Sequence, residues 1–295
     1  MAQSVLYDVQ GPKAKRRVLI GSVVGSVLVL LLLAVAVQRL ASNDQFEGDL
    51  YRPFVEEPDL YRRLGTGLLN TLKAAVFALA LALLLGIVLA FGRLSSVRWL
   101  RIPAVAIIEF FRGVPLLLLI LFFFLAFPLA FKIDLKPLYA LVFGLTLYNG
   151  AVIAEIIRAG VQSLPKGQTE SALAIGLTRG QTLRLVLLPQ AVRIMLPALV
   201  SQLVVLLKDT SLGFVIGFEE LLRIGGQAVQ VLNNPIQLYV LIALIYIVIN
   251  LSLSRLASYL EGRQRRTYGS GAVVPTQQVE TGMGQAAGGG GGGAV

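Results

Sequence analysis

Long stretches without a single charge constrain this chain more than any other feature. Val18–Val37 runs 20 residues with no Asp, Glu, Lys or Arg. Ala74–Phe91, Val114–Phe131, Leu138–Ala154 and Ile236–Ser254 are likewise uncharged, and Ile194–Leu207 is a shorter run ended by Lys208-Asp209. A bilayer core of about 30 Å is crossed by roughly 20 apolar residues in helical form. Six runs therefore predict six spanning helices, the fifth the least regular. Composition agrees: 56% of the chain is hydrophobic and 14% charged, against about 45–50% and about 25% in soluble domains. The predicted fold class is an all-α membrane protein.

The first run admits two readings. Arg16 and Arg17 precede it and Ala34-Val35-Ala36 resembles a cleavage site, as in a secretory signal. Its length exceeds the usual apolar region of a signal, which favours a retained helix. Gly21-x-x-x-Gly25 within it could pack against another helix, although such pairs are common by chance.

The chain has no Cys and no His. Disulfides, thiol nucleophiles, His ligands and His bases are excluded. A metal site would have only carboxylates and carbonyls to use, and none is expected. The net charge of +10 reads as topology rather than nucleic-acid binding, because the bases cluster between the apolar runs. With the N-terminus cytoplasmic, inside segments hold sixteen basic residues and outside segments eight. That bias predicts cytoplasmic N- and C-termini. No Gly-Lys dipeptide occurs, so there is no phosphate-binding lysine loop of the Walker type. ATP hydrolysis, if used, sits on another chain.

The most informative segment is the inside loop after the fourth run, Arg158 to Gln190. Pro165-Lys166-Gly167 reads as a turn. Thr169 could cap a short helix starting at Glu170, with the acid favourably in its first turn. Ala172, Ile175 and Gly176 fall at i, i+3 and i+4 on one predicted face. Such a helix could dock into a groove on another protein or lie in the lipid interface.

This loop resembles the EAA loop of bacterial ABC importer permeases, E-A-A-x(3)-G-x(9)-I-x-L-P. Here it reads Glu170-Ser171-Ala172, three residues, Gly176, nine residues, then Val186-Leu187-Leu188-Pro189. Ser171 and Val186 are mild departures. Glu109-Phe-Phe-Arg112-Gly113-Val-Pro115-Leu116, the stretch from Leu147 to Gly160 around Asn149 and Glu155, and Leu207-Lys208-Asp209-Thr210-Ser211-Leu212 are similar to segments of the polar amino acid permease family, most of all its glutamate-type members. The resemblance implies a type I ABC importer permease fold, a five-helix core plus one additional N-terminal transmembrane helix. Glu170, Ser171, Ala172, Gly176, Leu188 and Pro189 would couple it to an ATPase. The implied partners are an ABC ATPase dimer carrying ATP and Mg, a second permease subunit, an extracytoplasmic substrate-binding protein, an amino acid substrate and the bilayer. The implied division is a cytoplasmic N-terminus (1–17), the additional helix (18–37), an extracytoplasmic segment (38–63), the permease domain (64–261, coupling loop 159–190) and a disordered Gly-rich cytoplasmic tail (262–295).

Polar groups at membrane depth mark the expected substrate path or gate. Gly113 and Pro115 offer a break in an overlong apolar stretch, and an unbroken upright helix from Ile102 would set Arg112 roughly 15 Å deep. Arg112 could meet a substrate carboxylate or pair with Glu109. Asn149 could bond substrate or a neighbouring helix. Glu155 and Arg158 suit a gate or an anchor for the loop. Lys208, Asp209, Thr210 and Ser211 could line an outer gate, unless Lys208 and Asp209 neutralise each other. A membrane scaffold would explain the hydrophobicity but not the loop spacing, and an intramembrane enzyme lacks its usual residues.

Overall fold

The protein, seen here as a computed structural model, is described over residues 11–268. The described residues are helical apart from short connections. The main helices are α1 (Pro12–Ser42), α2 (Pro58–Leu94), α3 (Arg98–Gly113), α4 (Leu116–Phe131), α5 (Pro137–Gln162), α6 (Lys166–Ala174), α7 (Arg179–Ile216), α8 (Leu221–Leu232) and α9 (Pro235–Tyr268), with short helical turns at Gly48–Tyr51 and Pro53–Glu56 between α1 and α2. Five are long and apolar enough to cross a membrane, and α3 with α4 forms a sixth candidate bent by 100° at the break. The six apolar runs thus fall in helix, apart from Val114 and Pro115 at the start of the third.

α2 and α5 form the centre and run side by side in the same direction. Ala74, Ala78, Ala82, Gly86 and Ala90 recur every fourth residue along α2, and all are buried. A stripe of this kind lets helix backbones approach closely, and such packing is one of the forces that associate helices in lipid. At Gly86 a methyl group would come within 2.6 Å of Ile153, and at Gly150 within 2.9 Å of Leu85. Ile120 from α4 and Leu206 and Leu207 from α7 complete one side of this core. Leu60, Leu64, Leu221, Leu238 and Ile242 form a second apolar cluster among α2, α8 and α9.

α1 stands apart: none of its most apolar window is buried against the rest of the chain. Gly21 and Gly25 have open space around them, so their pairing has no partner within the described residues. The α3–α4 break lies at Val114-Pro115, where the backbone is extended. A proline disfavours the helical region for the residue before it, so α3 stops there. Residues 262–268, expected as the start of a disordered tail, continue α9 instead. Arg and Gln are good helix formers, and propensity carries the helix on. The expected N-terminal segment before residue 11 and the Gly-rich tail from residue 269 lie outside the described residues.

Candidate functional site: a coupling loop, a charge cluster and two cavities

The loop from Gln162 to Pro189 is built by two local motifs. α6 starts directly after Pro165, whose backbone is extended, so Thr169 lies inside the helix rather than at its cap. At its other end Gly176 Nα–H donates to Leu173 O at 3.0 Å and Leu177 Nα–H to Ala172 O at 3.2 Å. That is a Schellman stop, which needs a left-handed residue after the helix. Gly176 supplies it with φ 86°. The glycine of the loop pattern therefore has a backbone reason. The chain then turns into α7 through a capping box: Gln181 Nα–H donates to Thr178 Oγ1 at 3.3 Å, and Thr178 Nα–H donates to Gln181 Oε1 at 2.9 Å.

Because the chain reverses at Gly176, Ala172 and Ile175 do not share a face as helical spacing predicted. Ala172 is buried, whereas Ile175 is 78% exposed. Glu170, Ser171 and Leu173 are also exposed. Ala172 points inward, and Gln190 Nε2 donates to Gln168 Oε1 at 3.2 Å, tying α6 to the start of α7. Leu188 is half-buried and Pro189 exposed in the first turn of the regular α-helical part of α7. The result is a compact knob with an exposed apolar tip.

Five charged side chains meet at the same end of the bundle. Arg93 donates to Glu109 at 2.9 Å and lies 3.5 Å from Glu155. Arg158 Nε donates to Glu155 at 2.8 Å, and its other nitrogens reach Glu155 and Gln162. Arg112 lies 3.7 Å from Glu109. The cluster joins α2, α3 and α5. It also corrects the depth assigned to Arg112. That depth assumed an upright, unbroken helix, but α3 and α4 are bent by 100°. Arg112 instead belongs with Arg93, one residue from the end of α2. Arg93 gave no sequence signal beyond its charge, because its partners lie on other helices.

Asn149 is fully buried. Its Nδ2 donates to Leu145 O at 2.9 Å, and its Oδ1 accepts from Gln202 Nε2 at 2.7 Å. Of the two readings, the structure displays the bond to a neighbouring helix. Lys208 and Ser211 line an apolar groove of about 550 Å³ between α7 and α9, with Tyr239, Tyr246 and Asn250. Asp209 is absent from that lining, and no Lys208–Asp209 ion pair forms among the described residues. Consecutive helical residues point about 100° apart, which separates the two. Thr210 is buried and its hydroxyl donates back to Leu207 O at 2.6 Å.

At the opposite end, the 217–220 loop borders a smaller, open cavity of about 250 Å³ lined by Asn70 and by the exposed Lys73, Lys136 and Glu219. Glu220 behind it is fully buried. It accepts from Leu222 Nα–H at 2.8 Å, Arg223 Nα–H at 2.6 Å and the Tyr246 hydroxyl at 2.8 Å. Burial pushes its carboxyl above the ordinary carboxylate pKa, opposed by these three hydrogen bonds. Among the described residues there is no group of three or more carboxylates able to hold a metal ion.

Comparison with known proteins gives this arrangement a context. Residues 82–266 match the family described as "Binding-protein-dependent transport system inner membrane component". The chain is 45% identical over 231 residues to the glutamate transport system permease protein GluD of Corynebacterium glutamicum, covering 77% of this chain and 84% of that one. It is 37% identical over 205 residues to the glutamate/aspartate import permease protein GltK of Escherichia coli, covering 67% of this chain and 91% of that one. Among solved structures, the crystal structure of an amino acid ABC transporter with histidines superposes with a TM-score of 0.67 at 34% identity, covering 71% of this chain and 98% of that one. The architecture is the type I ABC importer permease fold, a five-helix core with α1 added before it. The chain belongs to the family of inner membrane components of binding-protein-dependent transport systems.

Proposed function

We propose that this chain is the permease subunit of an ABC importer that moves a polar amino acid, glutamate being the best candidate, into the cytoplasm. The observation that carries the reading is the knob between α5 and α7, held by a Schellman stop and a capping box, in a chain that belongs to this family. ATP is hydrolysed on a separate ATPase dimer, which carries the ATP and Mg. The knob, through Glu170, Ser171, Ala172, Gly176, Leu188 and Pro189, receives the movement of that motor. Its exposed Leu173 and Ile175 offer the apolar tip that such docking uses.

Alternating access follows from a difference in contacts between two states. Glu155 and Arg112 belong to the charge cluster at the knob end and act as its gate. Lys208 and Ser211 line the path in the groove between α7 and α9, facing a second permease subunit, identical or related. Asp209 and Thr210 hold the helix end that carries them, and Asn149 with Gln202 braces α5 against α7. The knob end is cytoplasmic, as are both termini, so the 38–63 segment is extracytoplasmic and residues 64–261 form the permease domain. The substrate-binding protein meets the opposite end. Two relatives whose names specify glutamate, at 45% and 37% identity, support the substrate.

The test is ATP-dependent uptake of labelled glutamate, aspartate, glutamine and histidine by proteoliposomes holding the permease, its ATPase and its binding protein. Glutamate uptake that requires ATP inside the reconstituted motor compartment is expected. Glu170→Lys should lower recovery of the ATPase on the purified permease. Uptake without ATP, or full ATPase recovery with Glu170→Lys, would remove the motor assignment.

A further inference from the structure

The end of the bundle away from the knob carries two bases that the charge cluster does not use. Lys73 stands immediately before the uncharged stretch Ala74–Phe91, and Lys136 immediately before Pro137, where α5 starts. Since α2 and α5 run in parallel, both lysines arrive at the same level. Twenty residues of α2 separate Lys73 from Arg93, roughly 30 Å of helix, about the thickness of a bilayer core. Lys73 and Lys136 thus sit at one membrane boundary while Arg93 and Arg158 sit at the other.

Lys73 and Lys136 line one small cavity together with Asn70 and Glu219. Neither lysine makes an ion pair among the described residues. The loop that brings Glu219 to them is held on several sides. Asn70 Nδ2 donates to Glu219 O at 2.8 Å, and Leu221 Nα–H donates to Thr71 Oγ1 at 3.1 Å. Gly217 turns with φ 75°. The buried Glu220 carboxylate caps α8 and accepts the Tyr246 hydroxyl from α9 at 2.8 Å. Burying a carboxylate is costly unless it is hydrogen-bonded, and here its bonds fix the loop that presents Glu219. The loop backbone that carries Glu219 is therefore fixed, and two cations and one anion, all solvent-exposed, stand on the wall of an open cavity.

We propose that this cavity is an entry site for acidic amino acids, in which the Lys73 and Lys136 ammonium groups receive the two carboxylates and the Glu219 carboxylate receives the α-ammonium. The charge count decides the substrate class. A dicarboxylic amino acid carries two negative groups and one positive, the complement of the wall. A neutral amino acid would leave one lysine unanswered, and a basic one would face like charge. Glu219 also disfavours an anionic lipid headgroup, which has no cation to offer it unless zwitterionic. The site rests on the amino acid importer reading and deepens it, by naming the feature of the permease itself that favours acidic substrates.

The experiment uses proteoliposomes with the full complex and saturating glutamate-loaded binding protein. The Lys73→Gln/Lys136→Gln double variant should lose about tenfold in glutamate uptake, the scale of a charge-assisted contact. Stimulation of ATP hydrolysis by loaded binding protein should stay within about twofold, and Lys73→Arg/Lys136→Arg should transport within about twofold of the wild type, since guanidinium also binds carboxylate. Glu219→Gln should raise the KM for glutamate without changing the maximal ATPase rate. Unchanged uptake by the double Gln variant overturns the site and leaves the lysines as membrane-boundary anchors. Uptake restored by raising binding protein above the level that saturates the wild type, or ATPase stimulation lost along with uptake, overturns it in favour of docking of the binding protein. Those outcomes leave the importer reading intact. If the wild type moves neutral amino acids but no acidic one, the glutamate assignment falls together with this site.

Discussion

The two ends of the α2–α5 pair carry charge in opposite ways. At the knob end, Arg93, Glu109, Arg112, Glu155 and Arg158 are partnered across three helices, and the bend between α3 and α4 delivers two of them. At the other end, about a bilayer's thickness away, Lys73 and Lys136 share a cavity wall and make no ion pair among the described residues. Partnered charges, of which Arg93, Glu155 and Arg158 are half-buried and Glu109 and Arg112 exposed, hold helices together and can change partners when helices move. Charges held at a cavity wall without partners are available to something that passes. The same residue types therefore serve cohesion at one end and reception at the other, and the presence or absence of a partner makes the difference.

The comparison can be broken most strongly at Glu155, which faces both Arg93 and Arg158. Glu155→Gln leaves two half-buried guanidinium groups under-compensated, and a loss of about 3 kcal/mol is expected on that ground. Thermal unfolding of the detergent-solubilised permease measures it, and Glu155→Asp, which keeps the charge between Arg93 and Arg158, should recover part of the loss. A melting point equal to the wild type's would show that the cluster does not hold the helices. Gly86→Val tests whether apolar packing between the two ends matters comparably. The added carbons meet Ile153, whose Cγ2 lies 2.6 Å from an ideal Cβ at that glycine, and overpacking of this kind costs about 1–3 kcal/mol. A variant as stable as the wild type would mean that α2 and α5 can separate freely.

Gly176→Ala sharpens the contrast by acting on the knob alone. Nothing lies within 4 Å of the new methyl group, so the cost is the left-handed backbone, about 1–2 kcal/mol. ATPase recovery should fall while the melting point of the helix bundle stays put, and a joint fall would show that the knob is part of the folded core. The smallest stability effect belongs to Lys136→Gln, within about 0.5 kcal/mol of the wild type, with its consequence confined to glutamate uptake. Destabilisation as large as that of Glu155→Gln would erase the distinction between the two ends.

The helices themselves were legible because apolar length is a one-dimensional property. Six uncharged runs in the sequence correspond to helices in the structure, and the Gly113-Val-Pro115 break is where α3 ends. The loop pattern was legible too, since a Schellman glycine and a capping box are set by neighbours within five residues. What spacing could not show was direction after a bend. Helical periodicity groups Ile175 with Ala172, but the chain reverses at Gly176 and separates their faces. An upright helix places Arg112 roughly 15 Å deep, but the 100° bend between α3 and α4 is not visible in spacing.

An all-α membrane protein with a stop-and-restart loop of this family's pattern can be read along the chain, because length, hydropathy and local capping act between near neighbours. Which charges meet depends on how the helices pack. Arg93 and Glu155 are far apart in the chain, as are Lys73 and Lys136. Both pairs are brought together because small residues every fourth position let α2 and α5 lie side by side. Which end would bind its charges together and which would leave them facing a cavity was set by that packing, by the α3–α4 bend and by the loop that Glu220 holds in place.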